Sequence, residues 1–180
     1  MAKAPIPTPK QAGINSRDKG NRGERQVKDL LQKWWKSDFA KTPSSGGFKT
    51  KKFREEWNAE GDVVTPDPTF PFSVEVKWQE DWTLDQILTS PKTKVWDWWE
   101  QAKRETSEEK HTLLVFKKNR QPWFMMTRET YLNSPYQIEF MEASSIRVID
   151  RQGEFAYIRL FDDLLKETKE LWERNLKKSK

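Results

Sequence analysis

The chain has 180 residues, of which 34% are hydrophobic, with a net charge of +5 and no cysteine. That size supports one hydrophobic core, and the lack of cysteine excludes disulfides and thiolate metal sites, which fits a cytoplasmic protein. No apolar run approaches the roughly 18 residues that a membrane helix needs, so a membrane partner is not expected. Residues 1–54 hold 14 Lys or Arg against 4 Asp or Glu, which favours a polyanionic partner such as nucleic acid.

The first third of the chain predicts an arm followed by a helix. Residues 1–15 contain three prolines and few large apolar groups, so they predict a flexible basic arm, and residues 16–180 predict a single domain. A helix is expected from Arg17, because apolar residues recur at the spacing of one helical face: Val27, Leu30, Leu31, Trp34 and Trp35. Glu24 falls on the same inward face, where the presence of an acidic side chain requires an explanation.

The middle of the chain predicts strands and a helical crossover. A short strand near 39–41 leads into a lysine-rich loop, and "GDVV" and "FSVEVKW" predict a hairpin. A short helix and a longer one follow, with Ser90 as N-cap and Pro91 as the first residue of the longer helix. Its apolar stripe favours packing over base stacking for the tryptophans that it includes: Val95, Trp98, Trp99 and Ala102.

The last third predicts more strands and a final helix. "TLLVF" and "WFMM" are typical of buried strands, and "IRVID" and "EFAYIRL" form a hairpin around "RQG". An amphipathic helix is expected from Phe161 to Lys178. The order of elements predicts a mixed α/β domain with helices on both sides of a sheet, and its C-terminal hairpin and helix form an extension.

The stretch "SVEVKWQ" places an acid and a base two positions apart in a strand. Alternate side chains of a strand face opposite sides, so Glu75, Lys77 and Gln79 share one face. An exposed charge pair would explain an isolated Glu-x-Lys. However, Asp62 starts the strand expected to pair with this one, and Glu24 points inward from the preceding helix. Three carboxylates and an ammonium near one sheet suit a Mg²⁺ site that hydrolyses a nucleic-acid backbone.

These residues support a family resemblance. Glu24, the "GD" of Asp62 and the "EVK" of Glu75 and Lys77 occur in the order that resembles the PD-(D/E)xK nuclease superfamily. Within it, "KGNRGERQVKDLL" followed by "FAKTPSSGG" looks like the archaeal-type Holliday junction resolvases and their phage-encoded relatives. The resemblance covers roughly residues 17–126. It implies a restriction-endonuclease-like α/β core, with a central mixed β-sheet flanked by helices.

The resemblance also implies an activity. Proteins of this kind are homodimeric, Mg²⁺-dependent endodeoxyribonucleases of DNA recombination and repair that cut paired strands of a four-way junction, and Mn²⁺ is a possible substitute. By position, Asp62, Glu75 and Glu24 would bind the metal and Lys77 would act on the attacking water. Ser45, with Ser44 as the alternative, would place the scissile phosphate. Gln79 would be a further polar residue of the active face.

Basic residues along the first third are expected to contact DNA, and two features depart from the family. The expected contacts are Arg17, Lys19, Arg22, Arg25, Lys41, Ser44, Lys49, Lys51, Lys52 and Arg54. Gly61 stands where the family motif has proline, and the loop over residues 46–60 is longer than in the archaeal proteins. Two alternatives stay open: an endonuclease or exonuclease acting on linear, flap or single-stranded DNA, and a non-catalytic basic DNA-binding module.

Overall fold

Seven β-strands form one mixed sheet in the order β1-β2-β3-β4-β5-β7-β6. The structure is a computed structural model that describes residues 9–42, 57, 60–128 and 145–169. The strands are β1 (Ala40–Lys41), β2 (Val63–Val64), β3 (Phe72–Trp78), β4 (His111–Lys117), β5 (Phe124–Arg128), β6 (Ile146–Ile149) and β7 (Phe155–Leu160). Only β3 and β4 pair in parallel among these strands. The two predicted hairpins and the crossover are confirmed.

The first helix, α1 (Pro9–Trp35), begins eight residues before the predicted Arg17. Proline suits the first position of a helix because its missing N–H would have no partner there. The predicted arm of residues 1–15 is therefore helical from Pro9 onward. Every fourth residue of the inward side is fully buried: Val27, Leu31 and Trp35. The helix stops at Lys36, whose φ of 55° is left-handed.

The crossover between β3 and β4 contains α2 (Leu84–Thr89) and α3 (Lys94–Glu105). The predicted start of the longer helix at Ser90 and Pro91 is wrong, because α3 begins at Lys94 with Thr93 as its N-cap. Ser90 instead ends α2, where its backbone N–H donates to the carbonyl of Gln86 at 2.9 Å. The predicted apolar stripe is buried as expected: Val95, Trp98, Trp99 and Ala102.

The helix that begins at Phe161, α4 (Phe161–Leu164), is only four residues long. The prediction of a continuous helix from Phe161 is therefore wrong, and its predicted end at Lys178 lies outside the described residues. Tertiary contacts explain the interruption. The carbonyl of Glu167 accepts a hydrogen bond from the indole of Trp34 at 2.8 Å, and the Glu167 carboxylate pairs with the buried Arg159.

Helices cover both faces of the sheet, and each face has its own core. On one face α1 and α4 pack against residues that include Val74, Val76 and Leu113. On the other face α2 and α3 pack against Leu114 and Phe116 of β4. Among the described residues, no helix is long and apolar enough to cross a membrane.

Candidate active site

The polar face of β3 is buried, although it carries an acid and a base. Val74 and Val76 face the core under α1, as the alternation predicts, while Glu75 and Lys77 face the other side. Glu75 is only 6% exposed, and the Nζ of Lys77 lies 2.5 Å from its Oε1. A buried carboxylate is costly in free energy, so an ordinary exposed charge pair does not describe this site.

Asp62 is placed beside Glu75 by the shortness of β2. The backbone N–H of Asp62 donates to the carbonyl of Val74 at 2.7 Å, and its own carbonyl accepts from Thr42 N at 2.8 Å. Since β2 has only two residues, the edge of β3 beyond Val74 is free of strand pairing with β2. The Oδ2 of Asp62 fills that edge by accepting a hydrogen bond from Val76 N at 2.9 Å.

Gly61 makes this close approach possible. Its φ is +83°, and a Cβ added there would lie 2.5 Å from the carbonyl oxygen of Val74. No side chain fits at that distance, and the left-handed φ favours glycine. The glycine found in place of the motif proline is thus required by the way that Asp62 is held.

Both carboxyl groups have a raised pKa. Burial and the charge of Glu75 raise the pKa of Asp62 to about 7, while the Val76 N–H bond and Lys77 oppose the rise. Burial also raises the pKa of Glu75; Lys77 opposes that rise, and Glu105 and Glu24 add to it. Such a shift is typical of functional sites, because a structural carboxylate is normally ionised and paired.

Glu24 lies at the rim of this cluster and is paired with Lys41. The Nζ of Lys41 donates to Glu24 Oε2 at 2.5 Å and to Asn21 Oδ1 at 2.5 Å. The contact joins α1 to β1 and leaves both charged side chains mostly buried, at 22% and 16% exposure. Lys41, predicted to contact DNA, thus has its ammonium on a predicted metal ligand.

The other predicted site residues divide into three groups. Gln79 directly follows β3 and is half-buried, with its backbone N–H bonded to Lys117 O at 3.1 Å. Lys19 pairs with Glu80 at 2.8 Å, and three arginines of α1 are exposed: Arg17, Arg22 and Arg25. The remaining predicted residues lie outside the described part of the chain: Ser44, Ser45, Lys49, Lys51, Lys52 and Arg54.

Sequence reasoning missed two residues near the site. Asn21, which holds Lys41, has no signal of its own apart from standing three positions before Glu24. Glu105 ends α3, accepts a hydrogen bond from Gln101 at 3.1 Å and raises the pKa of Glu75. Glu105 follows the buried Ala102 by three residues, so the periodicity that singled out Glu24 could have found it.

The donor set suits a hard divalent cation, although the three predicted ligands do not form a closed cage. In the described residues no three acidic, histidine or cysteine side chains lie close enough together to hold a metal ion. Glu24 and Glu75 each pair with a lysine instead. Even so, Asp62 and Glu75 offer only oxygen ligands, and a cation bound there would offset the charge of Glu75, which together with burial raises the pKa of Asp62.

An aspartate at the start of one strand, a glutamate on the adjacent strand and a lysine two residues later follow the motif of the PD-(D/E)xK nucleases, a class that generally uses divalent metals. Residues 15–178 match the family model described as "Phage putative PDDEXK endonuclease", and the chain belongs to that family. This membership and the topology confirm the predicted fold class, a restriction-endonuclease-like mixed sheet flanked by helices.

Two further similarities accompany the family match. Protein D14 of Escherichia phage T5 is 31% identical over an alignment of 117 residues, and the match covers 62% of this chain and 70% of that protein. The solved structure of Archaeoglobus fulgidus Hjc, a Holliday junction resolvase from an archaeal hyperthermophile, is 19% identical. That match covers 58% of this chain and 72% of the other, with a TM-score of 0.25, so the family model carries the assignment.

Proposed function

We propose that this nuclease is a Mg²⁺-dependent endonuclease that cuts four-way DNA junctions, acts as a homodimer and works in the cytoplasm of the host cell. The observation that carries the proposal is the pair formed by the buried Glu75 and the partly buried Asp62, with Lys77 at 2.5 Å from Glu75. Placing two acids together where water is largely excluded costs stability, and a non-catalytic DNA-binding module has no need of it. The order of the motif residues, with the "ER" helix before them, supports the junction-resolving group within the class.

The residues divide the chemistry between them. Asp62 and Glu75 would hold Mg²⁺, with Glu24 completing the acidic cluster. The bound ion would neutralise charge on the scissile phosphodiester and lower the pKa of a water molecule. Lys77 projects from the same face as Glu75 and would orient or deprotonate the attacking water. Ser45 or Ser44 would help to place the phosphate.

The exposed arginines of α1 support a polyanionic substrate. Arg17, Arg22 and Arg25 are exposed on the helix that also carries Glu24, and Arg17, seven residues before Glu24, lies on the same side of that helix. Each phosphate contact adds a counterion-release contribution, so replacing one arginine by alanine is expected to lower the salt slope of junction binding by roughly 1. Fluorescence anisotropy at several salt concentrations measures this slope. A slope that is unchanged in all three variants excludes these arginines as phosphate contacts.

The decisive experiment compares cleavage of an immobile four-way junction with cleavage of a duplex of matching arm sequence, with Mg²⁺ and with a chelator. The junction should be cut in preference and only with the metal. Asp62→Asn and Glu75→Gln should lower the cleavage rate by at least about a hundredfold while junction binding persists. Lys77→Met should lower it by roughly a hundredfold or more.

Matched controls separate chemistry from surface charge. Asp81 and Lys94 form an exposed pair, at 2.9 Å, and neither is among the predicted site residues. Asp81→Asn and Lys94→Met should therefore cut like the unmodified protein. The junction assignment is refuted if junction and duplex are cut equally, or if flap or single-stranded DNA is cut instead. Either result leaves the assignment as a nuclease intact. Normal cutting by Asp62→Asn refutes the site itself.

A further inference from the structure

Lys41 makes an unusual double contact at the rim of the site. Its ammonium donates to Asn21 and Glu24 at 2.5 Å each, and these two acceptors stand three residues apart on one side of α1. The contact connects the second residue of β1 with the helix that carries the predicted metal ligand Glu24. We refer to Asn21, Glu24 and Lys41 as the rim clamp.

The rim clamp is close to the acidic pair. Lys41 pairs with Val63 in the β1–β2 ladder, directly after Asp62, and the next residue, Thr42, bonds the backbone of Asp62. The charge of Glu24 also raises the pKa of both Asp62 and Glu75. The ammonium of Lys41 therefore supplies positive charge to the edge of a cluster of three carboxylates.

The neutral side chain of Asn21 suggests that the contact between Lys41 and Glu24 is exchangeable. A lysine side chain loses up to about 2 kcal/mol of rotamer entropy when it is fixed, so a second acceptor helps to define where the ammonium sits. An amide provides that acceptor without adding a charge. An aspartate there would hold the lysine more firmly and would also deepen the repulsion among the acids.

We propose that the ammonium of Lys41 in the rim clamp takes the place of a divalent cation until one binds. The ammonium of Lys41, positioned by Asn21, balances Glu24 while the carboxylates are free of metal. It leaves Glu24 when they take up a divalent cation, and it is then available to a DNA phosphate. The proposal rests on the proposed function, since it needs Glu24 to take part in metal binding. Metal and DNA then strengthen each other's binding, by the same factor in both directions.

The test measures metal binding without DNA and without cleavage. Calorimetric titration of Mn²⁺ into the full-length protein gives the metal affinity of Lys41→Met, Asn21→Ala and the unmodified chain. Lys41→Met should bind Mn²⁺ about fivefold more tightly, because the competing cation is gone, and Asn21→Ala about twofold more tightly. If the clamp were only structural, both variants should bind Mn²⁺ more weakly than the unmodified chain, because loosening α1 would displace the metal ligands.

A lysine of the same helix provides the matched control. Lys33 is exposed and stands nine residues after Glu24, on the opposite side of α1, so Lys33→Met should leave the Mn²⁺ affinity unchanged. Junction affinity is then measured by anisotropy with and without Ca²⁺. The gain in affinity that Ca²⁺ gives the unmodified protein should shrink by about half or more in Lys41→Met and persist in Lys33→Met.

The outcomes separate this inference from the nuclease assignment. Mn²⁺ affinity that is equal or weaker in both Lys41→Met and Asn21→Ala overturns the clamp, even if the unmodified protein cuts junctions. Tighter Mn²⁺ binding by both variants supports the clamp, even if the preferred DNA substrate is not a junction. Thermal melting checks that each variant is folded, and Asn21→Ala keeps the test valid if Lys41→Met does not fold.

Discussion

Opposing influences act on the pKa of Asp62. Burial and the neighbouring Glu75 favour the protonated form and bring its pKa to about 7, whereas the hydrogen bond from Val76 N favours the ionised form. The carboxyl thus titrates near neutrality when no cation is bound. Because a metal ligand must be ionised, cation binding should release a proton, and affinity should rise with pH up to about 7.

This shift predicts how stability depends on pH. The folded chain keeps a proton on Asp62 that the unfolded chain releases between 3.8 and about 7, so the free energy of unfolding should fall as pH rises through that range. Asp62→Asn removes this dependence and should stabilise the protein above pH 7 by about 1–3 kcal/mol, allowing for solvent screening. Urea denaturation in a chelator at pH 5 to 8 measures it. Asp81→Asn, an exposed change, should keep the original slope; the same slope in Asp62→Asn would contradict the argument.

Some of the site follows from local pattern and some does not. The alternation of a strand places Glu75 and Lys77 on one face from seven residues of sequence. The burial of that face could not be predicted in the same way, because Leu114, the strand partner of Glu75, and Glu105 approach from distant parts of the chain. The pairing of Lys41 with Asn21 has the same origin, since no local rule joins positions 20 residues apart.

At the level of elements, a strand of only two residues determines the site. Because β2 begins only at Val63, Asp62 rather than a strand neighbour occupies the edge of β3 at Val76. Gly61 allows this arrangement by bringing its backbone against Val74. A longer β2 would satisfy the backbone of β3 and leave no place for the carboxylate.

Two glycines with the same φ provide a test of this arrangement. Gly61 (φ +83°) presses against Val74, whereas Gly153 (φ +82°) has open space around it. Gly153→Ala should lower the free energy of unfolding by about 1 kcal/mol, because it adds only the conformational penalty of a left-handed alanine. Gly61→Ala adds a backbone clash and should lower the free energy of unfolding by roughly 3 kcal/mol or more. It should also abolish nuclease activity. Chemical denaturation compares the two, and equal losses would show that the close approach is unimportant.

The elements were predictable where sequence pattern is local, and their boundaries were not. Both hairpins, the crossover and the buried stripe of α3 follow from periodicity and turn residues. The start of α3 at Lys94 and the end of α4 at Leu164 depend on contacts elsewhere. Trp34 of α1, for example, bonds the carbonyl of Glu167, and this contact fixes the chain where propensity alone favours a longer helix.

Across the whole molecule, the site and the β6–β7 hairpin lie toward opposite edges of the sheet. About five strand spacings separate β2 from β6, roughly 24 Å. The hairpin turn is held to α3 by the buried Asp150, which accepts from Lys103 Nζ at 2.5 Å and from the indole of Trp99 at 3.1 Å. Although burial opposes it, these bonds and those from Gln152 and Glu154 keep the pKa of Asp150 below its ordinary value.

Breaking this buried pair should destabilise the protein without touching the site. Lys103→Met leaves the Asp150 carboxylate buried and uncompensated, and should lower the free energy of unfolding by about 3 kcal/mol. Arg151→Ala removes an exposed pair with Asp97 and should cost less than about 1 kcal/mol. Denaturant titration gives both values. Cleavage by the folded fraction of Lys103→Met should be normal, and a specific loss of cleavage would show that the two edges are coupled.

The parallel pairing of β3 with β4 also has a consequence for synthesis. Residues 24–77 supply Glu24, Asp62, Glu75 and Lys77, and they leave the ribosome first. Yet β3 gains a full-length neighbour only when β4 (His111–Lys117) has been made, because β2 pairs with so little of it. A chain interrupted before β4 thus carries these motif residues without an assembled site. We expect incomplete copies to be inactive.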